Sequence, residues 1–261
     1  MKRKSIFILS ILFSLFIFAA CSNEVETLIK EVYVQVDYNR PTYQDVQVGD
    51  VILEDGTIIP YLKGYGFTQE QRENAIAVVV YSNQEFALCV GLKSNQLTWF
   101  EDYVYYYEED FKTEVFDING NNFEKENGTV AGKLSDIVTY TGYDCGSNSY
   151  SIMSKDYYHF ESEAFEWIHD YGNTYSITGM YASDWYMPSL KELMYLNENY
   201  DIVKTVFSAL GATIFTEAYS SSCHELQPYR VNFSNKEFTN YIEDLHKTKK
   251  TCIAFHSVIL K

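Results

Sequence analysis

The chain has 261 residues, with 36 acidic side chains against 20 basic ones and a net charge of −16. That balance argues against binding nucleic acid or an anionic membrane by bulk electrostatics. Aromatic residues make up 17% of the sequence, 24 of them tyrosines, so apolar bulk for a real core is present.

Lys2, Arg3 and Lys4 form a basic start, and Ser5 to Ala20 is apolar apart from three serines. That run falls short of the roughly 20 residues a spanning helix needs. It ends in Phe18-Ala19-Ala20-Cys21, small residues before a cysteine, the pattern of a secretory leader. The ending resembles the lipobox of bacterial lipoproteins, which predicts acylation at Cys21 and a lipid anchor in the cell envelope. Residues 1–20 are therefore read as a signal peptide. About 240 residues remain, enough for one large domain.

Residues 21–45 read as a tether. Within them "EVYVQVDY" alternates Val32, Val34 and Val36 on one side of an edge strand. Residues 46–261 read as the domain. In "VGDVILEDGTIIPYL", Asp55-Gly56 between two apolar runs predicts a tight hairpin. "AIAVVVYS" (75–82) and "FALCVGL" (86–92) predict buried strands joined by a short turn, and "LTWF" closes the block.

Residues 101–135 are polar and tyrosine-rich. Tyr103, Tyr105, Tyr106 and Tyr107 stand among carboxylates and are candidates for ligand contact, as aromatic-rich recognition surfaces are. Sheet packing is the alternative. In "DINGNNFEKENGT", Asp117, Asn119 and Asn121 alternate as in a calcium loop. The glycine and late glutamate of an EF-hand are missing at their spacings, so a solvated hairpin is expected.

"DYYHFESEAFEWIHDYG" (156–172) carries Phe160, Ala164, Ile168 and Tyr171 at helical spacing, with Gly172 as its expected stop. His169 belongs to its polar face. In "DWYMPSLKEL" (184–193), Ser189 and Glu192 have the spacing of a capping box. Pro188 keeps Met187 extended, and Trp185 is placed as a core anchor. The stretch reads as a strand-to-helix corner, structural in purpose. "DIVKTVFSALG" (201–211) predicts a second helix capped by Asp201. "IFTEAYSSS", "YRVNF" and "CIAFHSVIL" predict strands.

Beyond Cys21 the thiols are Cys89, Cys145, Cys223 and Cys252, which allow three pairings. Export favours disulfides. Cys223–Cys252 is the expected bridge, because both fall in C-terminal strands expected to be neighbours. Buried thiols are the alternative. A zinc site would need Cys223, His224, Cys252 and His256 together, at a spacing unlike a finger or ribbon. No metal and no cofactor is expected.

The order of the blocks resembles one family. "VGDVILEDGTIIP", "GSNSYSI" (146–152), the helix after it, Trp185-x-x-Pro188-Ser189-x-x-Glu192-Leu193, a further helix and "AYSSSC" are similar to the DUF1566 family of bacterial surface proteins. That family is also called the Lcl C-terminal domain. Met187 replaces its usual leucine, Tyr219 its tryptophan, and Asn148-Ser149 its Asn-Thr pair. The last strand reads "CIAFHSV" in place of an arginine-bearing ending. The resemblance implies an α+β, C-type-lectin-like fold, related to the sulfatase-modifying-factor architecture. That is a twisted antiparallel sheet with two or three helices and long loops.

The expected function is a non-catalytic envelope lipoprotein, held to the membrane by its lipid and binding a glycan or protein ligand at the surface. Nucleic acid is excluded as a partner. The alternative is a structural or assembly protein of the envelope or of a pilus-like structure. An enzyme of the formylglycine-generating type is the third class, but its closely spaced cysteine pair is missing. No G-x-S-x-G, H-E-x-x-H or Walker A string occurs. No catalytic residue is named.

Overall fold

The computed structural model describes residues 46–61, 66–83, 85–99, 113–125, 128–141, 162–224, 227–240 and 248–260. Cys21, the strand expected near Val34, Tyr103, Tyr105, Tyr106, Tyr107, Cys145, the 146–152 segment and the first residues of the 156–172 helix lie outside them. The described residues all belong to one unit, Val46–Lys261.

The fold is α+β, built on antiparallel sheets. Asp55-Gly56 turns β1 (Val51–Leu53) into β2 (Ile58–Ile59), with Asp55 accepting from the Thr57 amide at 2.8 Å. β3 (Ala75–Ser82) and β4 (Phe86–Leu97) follow, and the last strand, β11 (Lys250–Ile259), pairs with β4. The five-stranded sheet has the order β11-β4-β3-β1-β2. Its central strands are apolar at nearly every position because both faces are covered. Val78, Val80, Leu88, Val90, Ile253 and Phe255 enter one apolar cluster. Ala77, Val79, Ala87, Cys89, Cys252 and Ala254 enter the other. Side chains alternate across a strand, so "AIAVVV" and "FALCV" feed two cores at once.

A four-stranded sheet has the order β6-β10-β9-β8. Its strands are β6 (Ala131–Lys133), β8 (Glu217–His224), β9 (Gln227–Asn232) and β10 (Glu237–Thr239). β5 (Val115–Phe116) and β7 (Thr139–Tyr140) make a small pair. The "AYSSSC" and "CIAFHSV" strands belong to different sheets, so β8 and β11 are neighbours by packing and not by hydrogen-bonded pairing. Cys89, Cys223 and Cys252 are buried thiols, and the expected Cys223–Cys252 bridge is not made.

Five helices complete the described residues: α1 (Gln69–Asn74), α2 (Glu163–His169), α3 (Tyr171–Thr174), α4 (Leu190–Glu198) and α5 (Tyr200–Leu210). Ser162 caps α2 through the Phe165 amide at 3.3 Å. Gly172 does not stop that helix; it sits inside α3. A Cβ there would lie 2.0 Å from the Ala182 carbonyl oxygen, so close backbone contact is what demands glycine. Asp201 is also corrected: Asn199 precedes α5 and makes no side-chain cap. Asn199 Nδ2 instead donates to the carbonyls of Val80 and Tyr195, both at 3.1 Å. Gly211, at φ 75°, closes α5 in the left-handed region.

Candidate functional site

The "DWYMPSLKEL" corner is built around hydrogen bonds that face inward. Trp185, 3% exposed, donates from Nε1 to the Tyr181 carbonyl at 2.7 Å. Its ring meets Tyr171 at 4.5 Å and His256 at 5.2 Å. The Tyr186 amide donates to the Phe255 carbonyl and the Phe255 amide to Tyr186, both at 2.9 Å, which stitches the corner onto β11. The Ser221 amide donates to the Pro188 carbonyl at 2.8 Å, and the Leu190 amide to Ser222 Oγ at 3.0 Å, which stitches it onto β8. The corner thus ties the two sheets together.

Ser189 Oγ accepts from the Glu192 amide at 3.3 Å, and Glu192 Oε2 accepts from the Ser189 amide at 2.8 Å. Glu192 Oε1 accepts from the Tyr186 hydroxyl at 2.8 Å. Both carboxylate oxygens are thereby engaged by the corner itself, and the side chain is buried. Trp99 packs nearby, giving its Nε1 proton to the Ser220 carbonyl at 3.1 Å.

Burial governs several of the titratable side chains. Burial pushes the Cys89 thiol up to about 12, partly offset by its bond to the His256 carbonyl. Burial also raises Cys252, together with Tyr171, Tyr219 and Tyr229. His256 is pushed below the usual imidazole range by burial, against its contacts with the Ser257 and Ser183 carbonyls at 2.9 and 3.1 Å. Those carbonyls occupy both ring nitrogens. Cys223, His224, Cys252 and His256 do not form a metal site, and among the described residues no cluster of three such ligands occurs. Asp117 spends its carboxylate locally, accepting from the Asn119 and Asn121 amides at 2.8 and 2.9 Å. The bond to Asn121 leads the causes that hold it below the usual carboxylate range.

A concave surface lies on the four-stranded sheet. Its register sets Lys133 beside Glu237 and Glu237 beside Asn232; it also sets Ala131 beside Thr239 and Thr239 beside Arg230. These six residues share one face. The alternate positions Phe238, Val231 and Tyr229 are buried in the core. The six outward residues, with Phe123, Lys125, Asp136 and Asn235, line a cleft of about 520 Å³. Asn232 Oδ1 accepts from the Ser234 amide at 2.9 Å and fixes the turn that leads into β10. Asn235 Nδ2 donates to Glu237 Oε2 at 2.6 Å. Arg230 Nη1 lies 3.6 Å from Glu217.

Sequence reading did not find this cleft. Its residues come from four separated stretches, and β10 is only three residues long. The alternation in "YRVNF" was the available signal: Tyr229, Val231 and Phe233 face inward, so Arg230 and Asn232 face out.

No family model and no curated protein matches the chain. Among solved structures it is similar to a fimbrial protein from Bacteroides ovatus, with a TM-score of 0.50 and 14% identity. The similarity covers 80% of this chain and 48% of that one, so the chain spans about half the length of the fimbrial protein.

Proposed function

We propose that the chain is an exported, lipid-anchored protein of the bacterial envelope that binds a glycan or protein ligand without catalysing a reaction. Its binding surface is the outward face of the four-stranded sheet. One observation carries this reading: a cleft of about 520 Å³, lined by cationic, anionic and amide side chains, on a sheet whose other face is core. That volume is within the roughly 300–1,000 Å³ of small-molecule sites. The thiols driven towards their neutral form and the imidazole fixed between carbonyls support a non-catalytic role. The leader ending at Cys21 supports the anchor, and the resemblance to DUF1566 proteins supports a lectin-like surface domain. The test is binding of the full chain to glycan and protein arrays, repeated with Lys133→Gln. Saturable binding weakened by that substitution is expected; binding indifferent to every cleft substitution contradicts the reading.

The similarity to a fimbrial protein favours a second reading, a subunit or assembly partner of a pilus-like structure. Sedimentation velocity separates the two. Concentration-dependent growth into ordered oligomers favours assembly, and a monomer that binds ligand favours the first reading.

A further inference from the structure

The cleft is less acidic than the molecule that carries it. The chain has a net charge of −16, yet among the described residues Lys125, Lys133 and Arg230 line this cleft beside Asp136 and Glu237, with Glu217 paired to Arg230. Lys125 and Lys133 make no ion pair among the described residues. Arg230 engages Glu217 through Nη1, while its Nε is buried without a hydrogen-bond partner. A guanidinium carries five N–H donors, so several remain for a ligand. Two lysines without an ion pair among the described residues of an acidic protein favour a ligand that bears negative charge.

The two carboxylates narrow the class. A densely charged anion would meet Asp136 and Glu237 inside the cleft, and a long polyanion would meet the acidic surface beyond it. A ligand with one carboxylate among many hydroxyls meets neither objection. Lysine and arginine pair with its carboxylate through charge-assisted hydrogen bonds. Ionised aspartate and glutamate are acceptors only, which suits sugar hydroxyls as donors.

We infer that the cleft takes an acidic saccharide, its carboxylate met by Lys125, Lys133 and Arg230 and its hydroxyls by Asp136 and Glu237. The inference rests on the cleft being the binding surface proposed above. The test uses the full chain on an array of neutral, uronate-bearing, sialylated and sulfated saccharides, followed by calorimetry at physiological salt. Carboxylate-bearing saccharides should bind, and their carboxyl-reduced counterparts should bind about tenfold more weakly or worse, the loss of one charge-assisted hydrogen bond. Lys133→Gln and Lys125→Gln should each weaken binding several-fold with the melting temperature unchanged. Neutral saccharides that bind as well as acidic ones, and lose binding in Glu237→Gln, overturn the acidic class while keeping the cleft. Preference for sulfated saccharides overturns it too. Carboxylate binding indifferent to both lysine substitutions overturns the placement. If no saccharide binds, the inference fails, and the broader reading is decided by the protein array.

Discussion

Trp185 joins two aromatic neighbours, Tyr171 and His256, and a backbone carbonyl, so its truncation removes packing and leaves the Tyr181 carbonyl short of that donor. Trp185→Ala should lower unfolding free energy by about 3–5 kcal/mol in urea denaturation. Glu192 supports a finer comparison. In Glu192→Gln the amide oxygen can accept from Ser189 and the amide nitrogen can donate to the Tyr186 oxygen, so the loss should stay near 1 kcal/mol. Glu192→Ala strands the Tyr186 hydroxyl and the Ser189 amide and should cost about 2–4 kcal/mol. Equal losses in the two variants would contradict this account of the box. His256 gives a pH dependence. Tyr181, Trp185 and Cys89 surround it, with Asp184 the charged group nearby. Its folded pKa is depressed, so the unfolded chain binds the extra proton at mildly acidic pH. The stability due to neutral His256 is whole above the unfolded pKa of about 6.5 and is lost as pH falls towards the folded value. Denaturation between pH 7.5 and 5.5 should therefore show a steeper fall for the wild type than for His256→Gln. Parallel profiles would contradict it.

At the scale of elements, the corner binds β11 through Tyr186 and β8 through Pro188 and Leu190. The Tyr186, Phe255 and Ser221 amides should exchange with deuterium only on global unfolding. The exposed Asp117–Asn121 turn should exchange far faster. Rapid exchange at Tyr186 and Phe255 would mean that the corner does not tie the sheets. Cys223 and Cys252 stand as buried, unlinked thiols, so peptide mapping without reduction should find no bridge between them. A Cys223–Cys252 peptide would contradict that state. Gly172→Ala should destabilise by about 3 kcal/mol or more, since backbone rather than a movable side chain meets the new methyl.

For the whole molecule, local chemistry was readable and long-range partnership was not. Asp55-Gly56, Ser189-x-x-Glu192 and the apolar stripe of α5 announce themselves because turn, cap and periodicity are fixed within a few residues. The same signal at Thr68-x-x-Gln71, which caps α1 with a complete box, was equally present and was passed over. Gly172 misled because a glycine after a helical run suggests a stop, whereas the demand comes from Ala182, distant in the helix count but touching in space. The Cys223–Cys252 expectation had no local signal of this kind: two strand-like runs do not say which sheet each joins. The cleft was hidden because its cations come from the loop before β6, from β6 and from β9, which only the fold brings together. The central claim is that the corner is architecture and binding belongs to the sheet face. The most direct measurement determines stability and saccharide affinity together on Glu192→Gln and Lys133→Gln. The account predicts a modest stability loss with unchanged affinity in Glu192→Gln, and weakened affinity with unchanged stability in Lys133→Gln. Affinity abolished in Glu192→Gln at constant stability, with Lys133→Gln silent, would contradict it.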